Sequence, residues 1–186
     1  MAQPAAPVVV LLASGRGERF IASGGHGSKL QALLAGRPVL EWTLQAVRAS
    51  GLRWHLEDAG HAGMGDSIAA GVAATRDAGG WLILPGDLPL VRPESLRQVA
   101  QALAGHAVVL PSYLGQRGHP VAFGTSHRDA LLALTGAEGA AVLVREALRQ
   151  GNALHLPLTD AGIVTDVDTV EDLARAERLL GGVGAT

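Results

Sequence analysis

The sequence predicts an α/β domain with a mainly parallel sheet and helices on both of its faces, and three observations carry that expectation. Short apolar runs alternate with segments of helical periodicity, in the order β, α, β, α, β, α as far as Leu103. Two of the runs, Val8 to Leu12 and Trp81 to Leu84, are apolar at every position, the pattern of strands covered on both faces. Each run ends in a loop containing glycine or proline, and open α/β sheets collect their ligands outside the carboxyl ends of such strands.

Val8 to Leu12 reads as the first strand and feeds a glycine-rich stretch, Ser14 to Ser28. Pro38 opens a helix whose Leu40, Leu44 and Val47 share one face, and Gly51 closes it. Leu52 to Leu56 is a second strand candidate. A helix is expected over Asp66 to Ala78, where Ile68, Val72 and Thr75 line up, and the buried strand Trp81 to Leu84 follows, stopped by Pro85-Gly86-Asp87. Pro93 starts a helix with Leu96, Val99, Ala100 and Leu103 on its inner face. Val108 to Tyr113 and Pro120 to Phe123 are strand candidates joined by the polar link Gly115 to Gly118. Helices around His127 to Leu134 and Ala140 to Gln150 come next, then short strands near Leu154 to Leu158 and Ile163 to Val167. The last helix begins at Thr169-Val170-Glu171-Asp172, where Thr and Asp three apart have the form of a capping box, and the Gly181 to Thr186 tail is expected to fray.

A length of 186 residues suits one domain, 1–186, and 48% hydrophobic against 17% charged residues is enough apolar material for a core. The formal net charge of -2 leaves no excess of cations to displace counterions from a nucleic acid, so a nucleic-acid partner is not expected. With no Cys, a disulfide framework, a thiolate zinc site and a thiol nucleophile are excluded. The apolar run Ala5 to Ala13 contains a proline and falls well short of the roughly 20 residues that span a bilayer. The expectation is a cytoplasmic chain without a membrane partner.

Leu12-Ala13-Ser14-Gly15-Arg16-Gly17-Glu18-Arg19 carries the strongest local signal. Glycines let backbone N–H groups turn inward as a nest for phosphate oxygens, and Arg19 and Lys29 add positive charge; the competing reading is a glycine-rich surface turn. Lys29 is the single lysine among 15 cationic side chains. A lone compact ammonium in a glycine-rich loop suits contact with a phosphate oxygen, although a chance surface lysine has the same appearance. A P-loop is absent, because Gly27-Ser28-Lys29-Leu30 stands far from the strand, and G-x-G-x-x-G fails at Phe20. Asp87, just past a buried strand, is placed to hold Mg²⁺, a hard ion that takes oxygen ligands and its substrate's phosphates; the alternative is a turn-forming Asp. Asp166 and Asp168 flank Val167 and could add an oxygen ligand, with helix capping the stronger reading for Asp168. His119, between Gly118 and Pro120, is a loop histidine; none of the seven His forms a close ligand pair on a helix, and G-x-S-x-G is absent.

Taken in order, Leu12-Ala13-Ser14-Gly15-x-Gly17-x-Arg19 with Lys29, Gly36-x-Pro38-Val39-Leu40, Gly63-Met64-x-x-Ser67-x-x-x-Gly71, Leu84-Pro85-Gly86-Asp87-Leu88-Pro89, Arg117-Gly118-His119-Pro120 and Asp166-Val167-Asp168-Thr169-x-Glu171-Asp172 resemble the MobA-like nucleotidyltransferase family, most closely its molybdenum cofactor cytidylyltransferase branch. The resemblance runs from about Val8 to Leu180 and implies a three-layer, Rossmann-like nucleotidyltransferase fold. It implies an Mg²⁺-dependent enzyme moving a nucleotidyl group from a nucleoside triphosphate, CTP favoured over GTP, to molybdopterin or molybdenum cofactor, with a molybdenum hydroxylase as a possible recipient. By the same resemblance Gly15, Gly17, Arg19 and Lys29 hold the triphosphate, Leu12, Ala13 and Ser14 belong to the nucleotide-binding segment, Ser67 lies by the nucleoside, and Asp87 binds the metal. Arg117, Gly118 and His119 then face the acceptor. Alternatives are a sugar-phosphate or isoprenoid polyol phosphate acceptor, and a non-catalytic carrier. The chain departs from the family in an insertion over Phe20 to Ser28, in a shortened stretch from Gly51 to Met64, and in Val170 where the family often has Pro.

Overall fold

The computed structural model describes residues 5–15 and 17–182; Arg16 of the glycine loop and 183–186 of the C-terminal tail lie outside the described residues. The chain runs β1 (Val8–Leu12), α1 (Glu18–Ala22), β2 (Leu33–Leu34), β3 (Arg37–Pro38), α2 (Val39–Ser50), β4 (Arg53–Glu57), α3 (Met64–Ala74), β5 (Gly80–Pro85) and α4 (Pro93–Leu103). It continues with β6 (Val108–Tyr113), β7 (Gln116–Arg117), β8 (Val121–Gly124), α5 (Arg128–Leu132), α6 (Ala141–Arg149), β9 (Ala153–Pro157) and α7 (Val170–Gly182). Most of these elements fall where the periodicity puts them. The helix expected over Asp66 to Ala78 starts and stops earlier, as α3, and Gly181 and Gly182 belong to α7.

Seven strands form one sheet in the order β4-β1-β5-β8-β6-β7, with β9 pairing to β6. β1 lies parallel to β4 and β5, β8 is antiparallel to both β5 and β6, and β9 is parallel to β6. The sheet is therefore mixed and mostly parallel: β4, β1, β5, β6 and β9 run one way, with β8 and the short β7 reversed. Leu12 stands level with Glu57 and Pro85, so β4, β1 and β5 deliver their carboxyl ends to one edge.

Alternation along the strands explains the two cores. Val9, Leu11, Leu82, Leu84 and Val109 face Leu44 and Val47 of α2 and Leu96, Val99 and Leu103 of α4. Val8, Val10, Trp81, Ile83, Leu110 and Phe123 face the other way, onto Ile68 and Val72 of α3, Leu131 of α5 and Val144 of α6. Each such fully buried side chain contributes about 1.5–3 kcal/mol, which is why all-apolar strands hold this sheet. A third cluster joins Leu34 and Val39 to Val167 and Ala176, fastening α7 beside the β2–β3 turn.

The Ile163 to Val167 strand expected from its apolar residues does not form. A 3-10 turn at Ala161–Val164 takes its place, because the Asp160 carboxylate accepts from Gly162 N–H at 2.8 Å and Thr165 Oγ1 donates to Ala161 O at 2.8 Å. Val167 N–H is then spent on Asp87 O at 2.9 Å. The capping box does form: Thr169 Oγ1 accepts from Asp172 N–H at 3.1 Å, and the Asp172 carboxylate accepts from Thr169 N–H at 2.9 Å.

Asp160 also accepts from Arg92 N–H at 2.9 Å and Ser95 Oγ at 2.7 Å, so one buried carboxylate ties the start of α4 to the segment leading to Asp166. Asp160→Ala should lower unfolding free energy by about 1–3 kcal/mol through these unpaired buried donors, measured by urea titration. A loss within error of zero would show that the carboxylate does not hold this junction.

Candidate active site

Lys29 opens a short 3-10 turn, Lys29–Gln31, anchored by buried Leu30 and by Ser28 Oγ, which accepts from Leu30 N–H at 3.3 Å. Asp87 leaves β5 through Gly86, whose N–H donates to Leu12 O at 2.8 Å and whose carbonyl accepts from Thr43 Oγ1 at 2.9 Å. Asp168 stands just before α7, its neighbour Val167 buried and bonded to Asp87 O. Lys29 Nζ donates to Asp87 Oδ2 and to Asp168 Oδ1, both at 2.5 Å. The three side chains are only 13%, 14% and 17% exposed. Burial alone would lower the Lys29 pKa, but the charge of Asp87 and the hydrogen bonds to Asp168 and Asp87 outweigh it and hold the ammonium above its ordinary value. Asp168 thus does not cap α7, the role the sequence favoured; Thr169 and Asp172 do so, leaving its carboxylate free for the cations.

The insertion before Lys29 has a defined structure. Gly17, with φ +65°, takes the left-handed conformation that starts α1, and a Cβ there would stand 3.3 Å from Lys29 N. Phe20 is buried, and Ser23 Oγ accepts from Val170 N–H at 3.0 Å, so α1 is fastened to the start of α7. That fastening supplies a partner for the helix N–H of Val170. It also carries Arg19 to Asp168, with Nη1 2.7 Å from Oδ2. Asp166 sits nearby, its carboxyl pushed up by burial and by the charges of Asp87, Asp168 and Asp172.

Two recesses meet at this pair. The first, about 270 Å³, is lined by Leu12, Ser14, Gly15, Lys29, Ser67 and Asp87 among others, and gathers most of the residues expected to hold the nucleotide. Ala13 instead donates its N–H to Glu57 O at 2.9 Å, and Arg19 lies in the other recess. That second recess, about 340 Å³, is lined by Arg19, Lys29, Asp87, Arg117, His119 and Asp168, with Gly118 and Asp166 beside them. An apolar extension of about 440 Å³ runs from Arg117 and His119 over Ile68, Ile83, Leu110, Val121 and Val144. Gly118 has a packing reason for its identity: a Cβ would meet Ile163 O at 2.4 Å. This close approach lets His119 N–H donate to Ile163 O at 2.9 Å. The half-buried His119 ring keeps a buried Nδ1 with no hydrogen-bond partner, and burial lowers its pKa against the pull of Asp87 and Asp166.

Glu57 and His61 were not singled out by sequence reasoning. Glu57 ends β4 and is buried, yet its carboxylate faces His61 Nε2 at 2.9 Å and His55 Nε2 at 3.1 Å and accepts from Ala59 N–H at 3.3 Å. Burial would raise its pKa, but the hydrogen bonds from His55, His61 and Ala59 outweigh it and hold the carboxyl below the ordinary Glu range. His61 lines the first recess. The signal was a Glu directly after a strand candidate with a His four residues on, which a search for helical metal pairs passes over.

Among the described residues no group of three or more His, Cys, Asp or Glu is arranged to hold a metal ion by itself. Asp87 and Asp168 nevertheless converge on one positive charge, and Mg²⁺ is commonly held by one or two carboxylates together with substrate phosphates. The donor set fits such an ion. No described helix is long and apolar enough to cross a membrane.

Residues 45–153 match the MobA-like NTP transferase domain family, and the chain belongs to that family. A bifunctional protein GlmU from Xanthomonas campestris pv. campestris is 30% identical over 99 residues, 53% of this chain; the match spans only 19% of that relative's length. Among solved structures, a nucleotidyl transferase from Methanothermobacter thermautotroptrophicus superposes with a TM-score of 0.80 at 21% identity, covering 96% of this chain and 99% of that one. The manganese complex of Rv0371C from Mycobacterium tuberculosis H37Rv gives 0.68 at 21% identity, with 93% and 98% covered. Molybdopterin-guanine dinucleotide biosynthesis protein A from Archaeoglobus fulgidus gives 0.58 at 21% identity, with 94% and 99% covered. At these identities the likeness establishes the fold, that of the nucleotidyltransferases.

Lys29 is the only lysine and Tyr113 the only tyrosine, so few side chains titrate in mild alkali. Because the folded Lys29 pKa is raised, its contribution to stability is complete below the unfolded value of about 10.4 and is lost as pH rises through the folded value. In a Tyr113→Phe background, urea unfolding should show an alkaline fall in stability above about pH 10.4 that Lys29→Met removes. An alkaline limb unchanged by Lys29→Met would contradict the pairing.

Proposed function

We propose that the chain transfers a nucleotidyl group, CMP from CTP in preference to GMP from GTP, to a phosphate-bearing acceptor of the molybdopterin or molybdenum cofactor class, releasing pyrophosphate. The observation that carries this reading is that Lys29 and Asp87 line both recesses, which would let one charged pair act on a nucleotide and an acceptor at once. Membership of the MobA-like family supports the reaction class, and the motif resemblance to the cytidylyltransferase branch supports the base. The likeness in fold to the Archaeoglobus fulgidus molybdopterin-guanine dinucleotide biosynthesis protein supports the acceptor. A molybdenum hydroxylase in the cytoplasm would be the recipient of such a product.

In this reading an acceptor phosphate oxygen attacks the α-phosphorus, one P–O bond forms, and the bond to the bridging oxygen of the β-phosphate breaks. Pyrophosphate carries away the negative charge, and no protein nucleophile takes part. Gly15 and the backbone after β1 cradle the triphosphate, while the Lys29 ammonium neutralises charge growing on the leaving oxygens. Arg19 and Arg117, both on the acceptor recess, hold the attacking phosphate in line. Asp87 and Asp168 would hold Mg²⁺, which, when bound, offsets the triphosphate's charge; a relative crystallised with manganese supports a divalent ion here.

Pyrophosphate release should be seen with Mg²⁺, molybdopterin and one nucleoside triphosphate, CTP above GTP, ATP and UTP. Lys29→Ala should lower turnover by about 10²–10³ at unchanged fold, and Asp87→Ala should abolish the Mg²⁺-dependent signal. Triphosphate binding without pyrophosphate release from any acceptor would replace the enzyme by a carrier.

A further inference from the structure

We infer that His61, oriented by Glu57, reads the base of the bound nucleotide and selects one bearing an exocyclic amino group. The inference rests on the first recess being the nucleotide site. The stretch from Gly51 to Met64 is short, and the wall it leaves beside that recess is His61 to Met64. His61 is the one aromatic ring among the described residues lining the recess. The other polar side chains there have partners: Lys29 and Asp87 hold each other, Ser14 Oγ donates to Glu57 O at 3.3 Å, and Ser67 Oγ donates to Gly63 O at 3.2 Å.

Glu57 sets what His61 can offer. An ionised carboxylate only accepts, and its two oxygens are divided, Oε1 to His61 Nε2 and Oε2 to His55 Nε2. Each neutral imidazole must then carry its proton on Nε2, which leaves Nδ1 of His61 as an acceptor and the only ring nitrogen free for a ligand. An acceptor fixed by a buried carboxylate matches an amino donor, as on cytosine or guanine. It leaves a carbonyl at the same place, as on uracil, facing a lone pair. Glu57 acts through His61 and is a positioning residue.

Equilibrium binding to the full chain with Mg²⁺, comparing CTP with UTP and GTP with ITP, isolates the amino group in each pair. The wild type should prefer the amino-bearing member of the better-bound pair by about tenfold, the effect of one unpaired buried acceptor. His61→Phe, which keeps a ring but no acceptor, should bring the two within about twofold, with the loss falling on the amino-bearing nucleotide. Glu57→Gln can accept from one histidine only while donating to the other, so it should reduce the preference without abolishing triphosphate binding. It should also shift the ¹⁵N resonances of His61 away from the Nε2-protonated tautomer that the wild type should show. A wild-type ratio kept by His61→Phe, no preference in a wild type that binds both members, or Nδ1 protonation of neutral His61 would overturn the inference while leaving the nucleotide site standing. Absence of any triphosphate binding would overturn the nucleotide reading itself and this inference with it.

Discussion

A single ammonium group held between two carboxylates joins segments that lie 58 and 139 residues apart in the chain. Lys29 comes from the loop after β1, Asp87 from the end of β5, and Asp168 from the turn before α7. Like charges this close, and this little exposed, are tolerated only with a cation between them. The surrounding structure serves that arrangement. The level ends of β4, β1 and β5 fix the floor, Val167 pins the backbone between Asp166 and Asp168, and α1 brings Arg19 against the outer oxygen of Asp168. The charged centre is consequently where the two recesses touch, a position suited to chemistry between two bound molecules.

The central fold was legible because local patterning and burial agree there. Val8–Leu12 and Trp81–Leu84 have the pattern of doubly covered strands, and Leu96, Val99 and Leu103 that of one apolar helix face, and both pack as that pattern directs. Legibility failed where polar side chains redirected an apolar segment. Ile163 and Val167 are both fully buried, as strand residues would be, but the Asp160 cap and the bond from Val167 to Asp87 impose a turn. The reversal of β8 within the sheet was likewise invisible, because an antiparallel strand buried on both faces has the same apolar pattern as a parallel one.

The site divides in a similar way. Lys29, Gly15 and Asp87 could be picked out because they stand in loops after strands, and Ser67, within α3, through the motif resemblance; the fold brings all four to one recess. Arg19 could be named as a cation near Lys29, but its place in the second recess beside Asp168 could not, since that depends on how α1 packs through Phe20 and Ser23. Glu57 and His61 escaped because their link is three-dimensional: a carboxylate at a strand end, level with Leu12, with two imidazoles folded back on it. The shortened Gly51 to Met64 stretch reads as a deficit in sequence. In the folded chain it closes one wall of the recess with a histidine whose geometry a buried acid controls.

The central claim is that the Lys29–Asp87–Asp168 centre faces nucleotide on one side and acceptor on the other. A crystal structure of the full chain grown with Mn²⁺ and a non-hydrolysable CTP analogue, with anomalous density to locate the metal, tests it most directly. The triphosphate should lie beside Gly15 and Lys29, with the manganese on Asp87 and Asp168 and an open recess at Arg117 and His119. Nucleotide bound away from Lys29, or metal away from both carboxylates, would contradict it.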